Sequence, residues 1–387
     1  MRLGVAVWAA GYAQQLCRRR LALSRSRMVL AARLNSDSLR CGMKLPTGLC
    51  RLTSLLWTRK SSLTASASWA DFLTKADSLW IPGRSPMLLT GAGFAKNWGG
   101  FLAREVWERM LASPTVRGNE VLRKVLLDNP EDFEAALAFV RLKSPKIAAL
   151  METAVLEVFE EQDDNETRDW FDFQSEKFHD FTAKFRGSDG TAMFFTLNQD
   201  LLVERRWRDG ELWAPGVGNL ALSEARARLS EEYRERVAVD PAVELRVGAV
   251  NYLKLHGSFV WNSASGNALL VAGADKRTQI AEQFAILAQY LKLFRLACEM
   301  VGARLVVIGY SFRDPHINAI IAGAARNGLE LAVMDTRSAT SLKNQLRQDG
   351  YPEIWSAVRD YCSTPLMEIL RECPGSREMI ASSTGVR

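Results

Sequence analysis

Six short apolar runs, several of them separated by helical patterns, constrain what this chain can fold into more than any other feature. They are Pro86–Thr90, Thr191–Thr196, Asn251–Leu255, Leu269–Ala272, Arg304–Ile308 and Leu329–Met334. Each has the length and composition of a buried strand, and helical patterns at 275–301, 315–327 and 338–348 lie between several of them. Short apolar strands alternating with helices predict an α/β fold: a parallel sheet with helices on both faces. One interval departs from the alternation. Residues 101–186 read as helical almost throughout, with apolar stripes at Phe133, Leu137, Val140 and at Trp170, Phe173, Phe181, Phe185. Asn129-Pro130 and Ser144-Pro145 separate its helices, so an all-helical insertion is expected between two strands.

The folded body is expected to span residues 69–350, opening with an amphipathic helix Ala70–Leu79 that Pro82-Gly83 ends. Residues 351–387 are expected to form a C-terminal helical tail, polar from 375 onward. Residues 1–68 differ from everything after them. They carry twelve Lys/Arg against a single acid, Asp37, which leaves the rest of the chain at a net charge of −5 although the whole is +6. The body is therefore mildly acidic, and nucleic-acid binding by the core domain is not expected. Three readings of the extension stay open: a transit peptide, a basic arm for an anionic surface, or a stretch upstream of the true start at Met28 or Met43. No apolar run approaches the roughly 20 residues of a spanning helix, so no membrane partner is expected. The six cysteines form no CxxC pair, which argues for reduced thiols in the cytoplasm and against a metal site.

In a parallel sheet, ligands bind beyond the C-terminal ends of the strands. The residues following each predicted strand are Gly91-Ala92-Gly93-Phe94, then Leu197-Asn198-Gln199-Asp200, then His256-Gly257-Ser258, then Gly309-Tyr310-Ser311-Phe312-Arg313-Asp314, then Asp335-Thr336. Only the strand ending at Ala272 offers nothing chemical. Two glycines at a strand-to-helix turn let the backbone approach a phosphate, although GxGxxG fails at Lys96 and no P-loop exists. His256 suits proton transfer to or from a sugar hydroxyl or water. Asn198 has donor and acceptor atoms to orient a water or a ribose hydroxyl. Asp200 and Asp335 can accept from ribose hydroxyls. Taken singly, each of these also reads as a turn or a loop cap.

Taken together and in this order, the Gly-Ala-Gly, Thr-Leu-Asn-Gln-Asp, Leu-His-Gly and Gly-Tyr-Ser-Phe-Arg-Asp motifs resemble the sirtuin-like NAD-binding superfamily. Gly91–Gly100 and Gly309–Asn318 look most like its bacterial branch associated with anti-phage defence, over roughly residues 70–345. The resemblance implies a Rossmann-like sheet and NAD as substrate. It implies that Gly91, Ala92, Gly93 and Phe94 hold the NAD phosphates, with Asn198 and Asp200 by the nicotinamide ribose. His256 would be the catalytic histidine, partnered by Asn198. Gly309 and Ser311 would line the phosphate and adenosine-ribose side, and Asp335 would take an adenosine ribose hydroxyl. His316 is a weaker candidate that reads more as helix-start packing, and His179 reads as structural.

Three departures bear on the reaction. Ala95 stands where the family often has serine; the zinc module of four cysteines is absent, residues 257–308 holding only Cys298; and Lys96-Asn97-Trp98 replaces the run that follows the glycine loop in deacylases. The last two favour water over acyl-lysine as acceptor. The expected activity is an NAD glycohydrolase releasing nicotinamide and ADP-ribose. A deacylase or ADP-ribosyltransferase, and a non-catalytic NAD- or ADP-ribose-binding module, are the alternatives. The resemblance further implies a homo-oligomer and a HerA-type ATPase as a partner, while the aromatic-rich insertion reads either as a packed helical subdomain or as an assembly surface.

Overall fold

The computed structural model describes residues 86–168, 178, 181–187, 189–207, 211–220, 235–236, 243–262, 268–271, 273 and 276–368. The chain divides into two compact units, Met1–Ala65 and Ser66–Arg387, and every described residue belongs to the second. The basic extension, the helix expected at 70–79, His179, the aromatics Trp170, Phe171 and Phe173, and the polar end of the tail lie outside the described residues.

In chain order, β1 (Met87–Thr90) leads to α1 (Ala92–Lys96) and then to five helices. These are α2 (Ala103–Ala112), α3 (Pro114–Arg117), α4 (Glu120–Asp128), α5 (Phe133–Lys143) and α6 (Pro145–Arg168). β2 (Ala192–Thr196), α7 (Leu202–Arg206), β3 (Leu212–Ala214), β4 (Gly218–Asn219), β5 (Glu235–Arg236), β6 (Val250–Lys254), β7 (Gly257–Asn262) and β8 (Ala268–Leu270) follow. The chain continues through α8 (Lys276–Gln283), α9 (Ala285–Cys298), β9 (Arg304–Ile308), α10 (Pro315–Arg326), β10 (Glu330–Met334), α11 (Ala339–Gln348), α12 (Pro352–Ala357) and β11 (Val358–Cys362).

Eight strands form the main sheet in the order β11-β10-β9-β1-β2-β6-β3-β4, parallel except for the β3–β4 pair. The central strands are buried along their whole length because both faces are covered: every residue of β1 and β6 is buried. This is the expected α/β architecture. The insertion between β1 and β2 is helical in its described part. Its local signals are plain, since Asn119 caps α4 and Asp132 caps α5, each side chain accepting from backbone N–H groups of the first turn. Phe133, Ala136, Leu137 and Val140 then bury one face of α5.

Two assignments are corrected. The run at Leu269–Ala272 does not join the main sheet; β8 pairs antiparallel with β7 in a separate three-stranded sheet with β5. Residues 358–362, read as part of a helical tail, form the edge strand β11 beside β10. Its half-buried sequence Val-Arg-Asp-Tyr-Cys lacks the apolar run that marks the inner strands. β3 and β4, with three and two residues, are too short to show in a sequence pattern.

Register decides where the strands end. Thr90 lies opposite Thr196 and Ile308, Thr196 opposite Lys254, and Ile308 opposite Met334. Five neighbouring strands therefore finish level. The residues that follow them, from Gly91 to Asp335, emerge along one edge.

Candidate active site

Along that edge lies a cavity of about 1600 Å³. Pockets for drug-sized ligands span roughly 300–1,000 Å³, so this one is large enough for a dinucleotide. Gly91, Ala92, Gly93, Asn198, Asp200, His256, Gly309, Ser311 and Asp335 all line it. Phe94 does not. Its ring is fully buried and packs against Trp98, Phe178, Phe181 and Phe194, so the side chain anchors α1 to the core.

The glycines serve first to let two loops touch. Gly91 N–H donates to Ile308 O and Gly93 N–H to Gly309 O, at 3.1 and 2.9 Å. A Cβ on Gly93 would sit 2.8 Å from Gly309 Cα, and one on Gly309, whose φ is +62°, only 2.2 Å from Phe94 N. Beyond Gly309 the loop folds on itself. Tyr310 OH donates to Asn318 Oδ1 at 2.9 Å, and Asn318 Nδ2 donates to Phe312 O at 2.8 Å. These bonds hold Phe312 at φ +57°, a conformation that L side chains rarely adopt.

A chain of hydroxyls and amides sets the Asn198 loop. Thr90 Oγ1 donates to Thr196 Oγ1 at 2.9 Å, and Thr196 Oγ1 accepts from Asn198 N–H at 3.0 Å. Gln199 Nε2 donates to His256 O at 3.1 Å and Val271 O at 2.7 Å, tying this loop to the next. Asp200 is buried and caps the turn to Leu202 N–H; burial pushes its carboxyl up, opposed by the nearby Lys254 ammonium. Lys254 itself is wholly buried, donating to Asp200 O and to Glu204 Oε1, the latter at 2.7 Å.

His256 ends the turn after β6. Gly257 follows at φ +80°, which lets the chain reverse into β7 and leaves the imidazole at the cavity wall. Only 3% of His256 is exposed. Burial, with the Lys276 ammonium behind it, holds its pKa well below the ordinary 6.5, so the ring is neutral at pH 7. That is the protonation state a base requires.

Beside His256 stand His316, the weaker candidate from the sequence, and three residues that the sequence did not single out: Asp314, Lys276 and Glu134. His316 Nε2 lies 3.1 Å from His256 Nε2, and Asp314 Oδ1 is 3.9 Å from the same atom. Lys276 donates to Asp314 Oδ1 at 2.7 Å and to Glu134 Oε2 at 2.8 Å. Asp314 stands at the N-cap of α10 but makes no capping bond, its carboxylate being drawn to Lys276. Burial raises the Asp314 carboxyl, yet His256 and Lys276 beside it bring it below the usual carboxylate value. Glu134 carries the network into α5 of the insertion. The Asp-Pro-His run shows His316 in the sequence, but its contact with His256 is set by the fold. Nothing in the local sequence marks Glu134 or Lys276.

Donor atoms of His256, Asp314 and His316 lie within 4.8 Å of one another, a spacing at which a cation can be shared. The Lys276 ammonium already balances Asp314, however, and a metal would face that buried charge at close range. The donor set suits a proton-handling cluster better than a metal centre.

At the far end, Asp335 follows β10. Both its oxygens accept from the Arg337 guanidinium, and Oδ1 also accepts from Arg337 N–H at 2.9 Å. Arg337 is held in turn by Gln345 Oε1 and Ser311 O. A ribose hydroxyl reaching Asp335 must share it with Arg337.

Residues 192–351 match the family model of the SIR2-like domain, which supports the sirtuin-like superfamily for this part of the chain and implies NAD binding. The glycine loop at 91–93 lies outside the matched segment but docks directly on Gly309 inside it. No curated protein matches the chain. Among the described residues, no helix is long and apolar enough to cross a membrane.

Proposed function

We propose that this chain is an NAD glycohydrolase, with His256 as base and Asn198 as the residue that orients the attacking water. One observation carries the reading. Asn198 and His256 each stand two residues beyond register-paired ends of neighbouring strands, and both line a dinucleotide-sized cavity in which His256 is neutral. In hydrolysis the bond between ribose C1′ and the nicotinamide nitrogen breaks, and its electron pair leaves with nicotinamide. A water oxygen bonds to C1′ and gives up a proton, which His256 accepts. Carboxylates near the ribose, Asp200 among them, favour the positive charge that develops there.

The glycine contacts between the β1 and β9 loops bring backbone to the cavity wall where a pyrophosphate would lie, and Ser311 and Asp335 serve the adenosine side. On the resemblance of the Gly91–Gly100 and Gly309–Asn318 runs, we place the enzyme in bacterial anti-phage defence, as a cytoplasmic effector that depletes NAD. Self-assembly or a HerA-type ATPase would supply the trigger.

The test is nicotinamide release from NAD by the purified full chain without any acyl peptide, over a range of protein concentrations. His256→Ala and Asn198→Ala should each lower release by about 10²–10⁴-fold, the usual contribution of a positioned acid–base group. A double variant as active as the unaltered chain overturns the assignment. Release that depends on an acyl-lysine peptide would replace hydrolysis with deacylation.

A further inference from the structure

We infer that His316 is the proton outlet of His256: the base passes its proton to a second histidine behind it, away from the substrate. The inference rests on the glycohydrolase reading and adds to it a residue and a direction. Two imidazole nitrogens 3.1 Å apart, with ring centroids at 5.2 Å, meet as donor and acceptor; two lone pairs or two N–H groups would repel. The contact uses Nε2 of both rings, and no described residue hydrogen-bonds His256 Nδ1, so Nδ1 is the nitrogen left for the reacting water. His256 lines the cavity, whereas His316 is not among its walls and is half-buried. A dinucleotide filling the cavity would cut His256 off from bulk water, and the route through His316 would stay open.

The proton balance is simple. Hydrolysis of NAD yields nicotinamide, ADP-ribose and one proton. His256 Nδ1 takes the proton as the water O–H bond breaks. The proton on His256 Nε2 moves to His316 Nε2, and His316 releases its Nδ1 proton to solvent. The product state leaves both rings neutral, with the mobile protons shifted from one nitrogen to the other, and rotation or solvent exchange restores the start. Surrounding charges suit a transient cation that never accumulates. Asp314, 3.9 Å from His256 Nε2, attracts it, while Lys276 and Arg277 disfavour its persistence. His316 does not touch the substrate on this account and acts through His256.

The experiment compares unaltered chain, His316→Ala and His316→Asn in steady-state nicotinamide release, with and without added imidazole. Asparagine can still accept a hydrogen bond from His256 and so preserve its orientation, but it cannot carry a proton. The expected result is a kcat about 100-fold lower in both variants, at the low end of acid–base contributions, with little change in KM and with recovery in imidazole. Melting temperatures close to that of the unaltered chain show that both variants fold. Full activity in His316→Asn reduces His316 to an orienting contact and overturns the relay, as does a loss that imidazole does not restore. An unaltered chain that releases no nicotinamide at any protein concentration, with or without a HerA-type ATPase, overturns the glycohydrolase reading itself, and that control separates the two failures.

Discussion

The two ends of the cavity are both built from ion pairs, yet they are assembled in opposite ways. At the histidine end, Lys276 and Asp314 are 38 residues apart and His256 and His316 are 60 apart, and Glu134 joins from a helix of the insertion. The side chains of His256, Lys276 and Asp314 are 4%, 10% and 15% exposed. At the other end, Asp335 and Arg337 are two residues apart, their partner Gln345 is eight further on, and the Arg337 side chain is 29% exposed. The same chemistry thus appears once as a buried network that only the fold can assemble and once as a local loop device. Burial decides how much each is worth: an ion pair stripped of one partner inside the protein leaves an uncompensated charge, whereas one near the surface is rescued by water.

The sharpest way to break that comparison is Lys276→Met. It leaves Glu134 and Asp314 facing each other without a cation and is expected to cost about 3–5 kcal/mol in urea or thermal unfolding. In chain that remains folded, loss of the ammonium also raises the His256 pKa, so the acid limb of nicotinamide release should move to higher pH. An unfolding free energy within error of the unaltered chain would show that the network is not a buried one.

Between the two ends, Gly93→Ala tests the loop contact. A methyl 2.8 Å from Gly309 Cα forces backbone apart, and an overpacking cost of about 1–3 kcal/mol is expected together with a higher KM for NAD. A variant of unchanged stability would mean that the loops give way freely.

Acid titration sharpens the histidine end further. Burial, with Lys276 and Arg277 nearby, lowers the His316 pKa from 6.5 to about 4, and His256 shifts in the same direction. The unfolded chain therefore binds protons at a pH where the folded one does not. Stability is fully present above about pH 6.5 and drains as pH falls toward 4. Unfolding measured across that window should show the decline, and His316→Asn should flatten part of it; identical slopes would separate His316 from the effect.

The smallest effect is expected from Arg337→Ala. A partly exposed pair of this kind contributes about 1 kcal/mol or less, and kcat should be untouched while KM for NAD changes. A large fall in kcat would mean that the two ends are coupled through the cavity.

Much of the site could be read before folding because strand ends in a parallel sheet are a strong filter. An apolar run marks a buried strand, and the polar or glycine residues just past it must come out at the sheet edge. That logic reached Asn198, Asp200, His256, Gly309, Ser311 and Asp335, which do line one cavity. It failed where a residue's neighbours are set by packing. The run at 268–270 is as apolar as its fellows but pairs in another sheet. β11 passed for tail because an edge strand, covered less, carries no apolar run.

Local pattern alone was enough for the α/β class, the helical insertion and the order of the strand-end motifs, since periodicity and capping act over a few residues. Tertiary structure alone decided that His316 meets His256, that Lys276 joins Glu134 to Asp314, and that three glycines exist to let two loops touch. Those contacts link residues far apart in the chain, and nothing in a local pattern encodes a distance that only the register of five level strands creates.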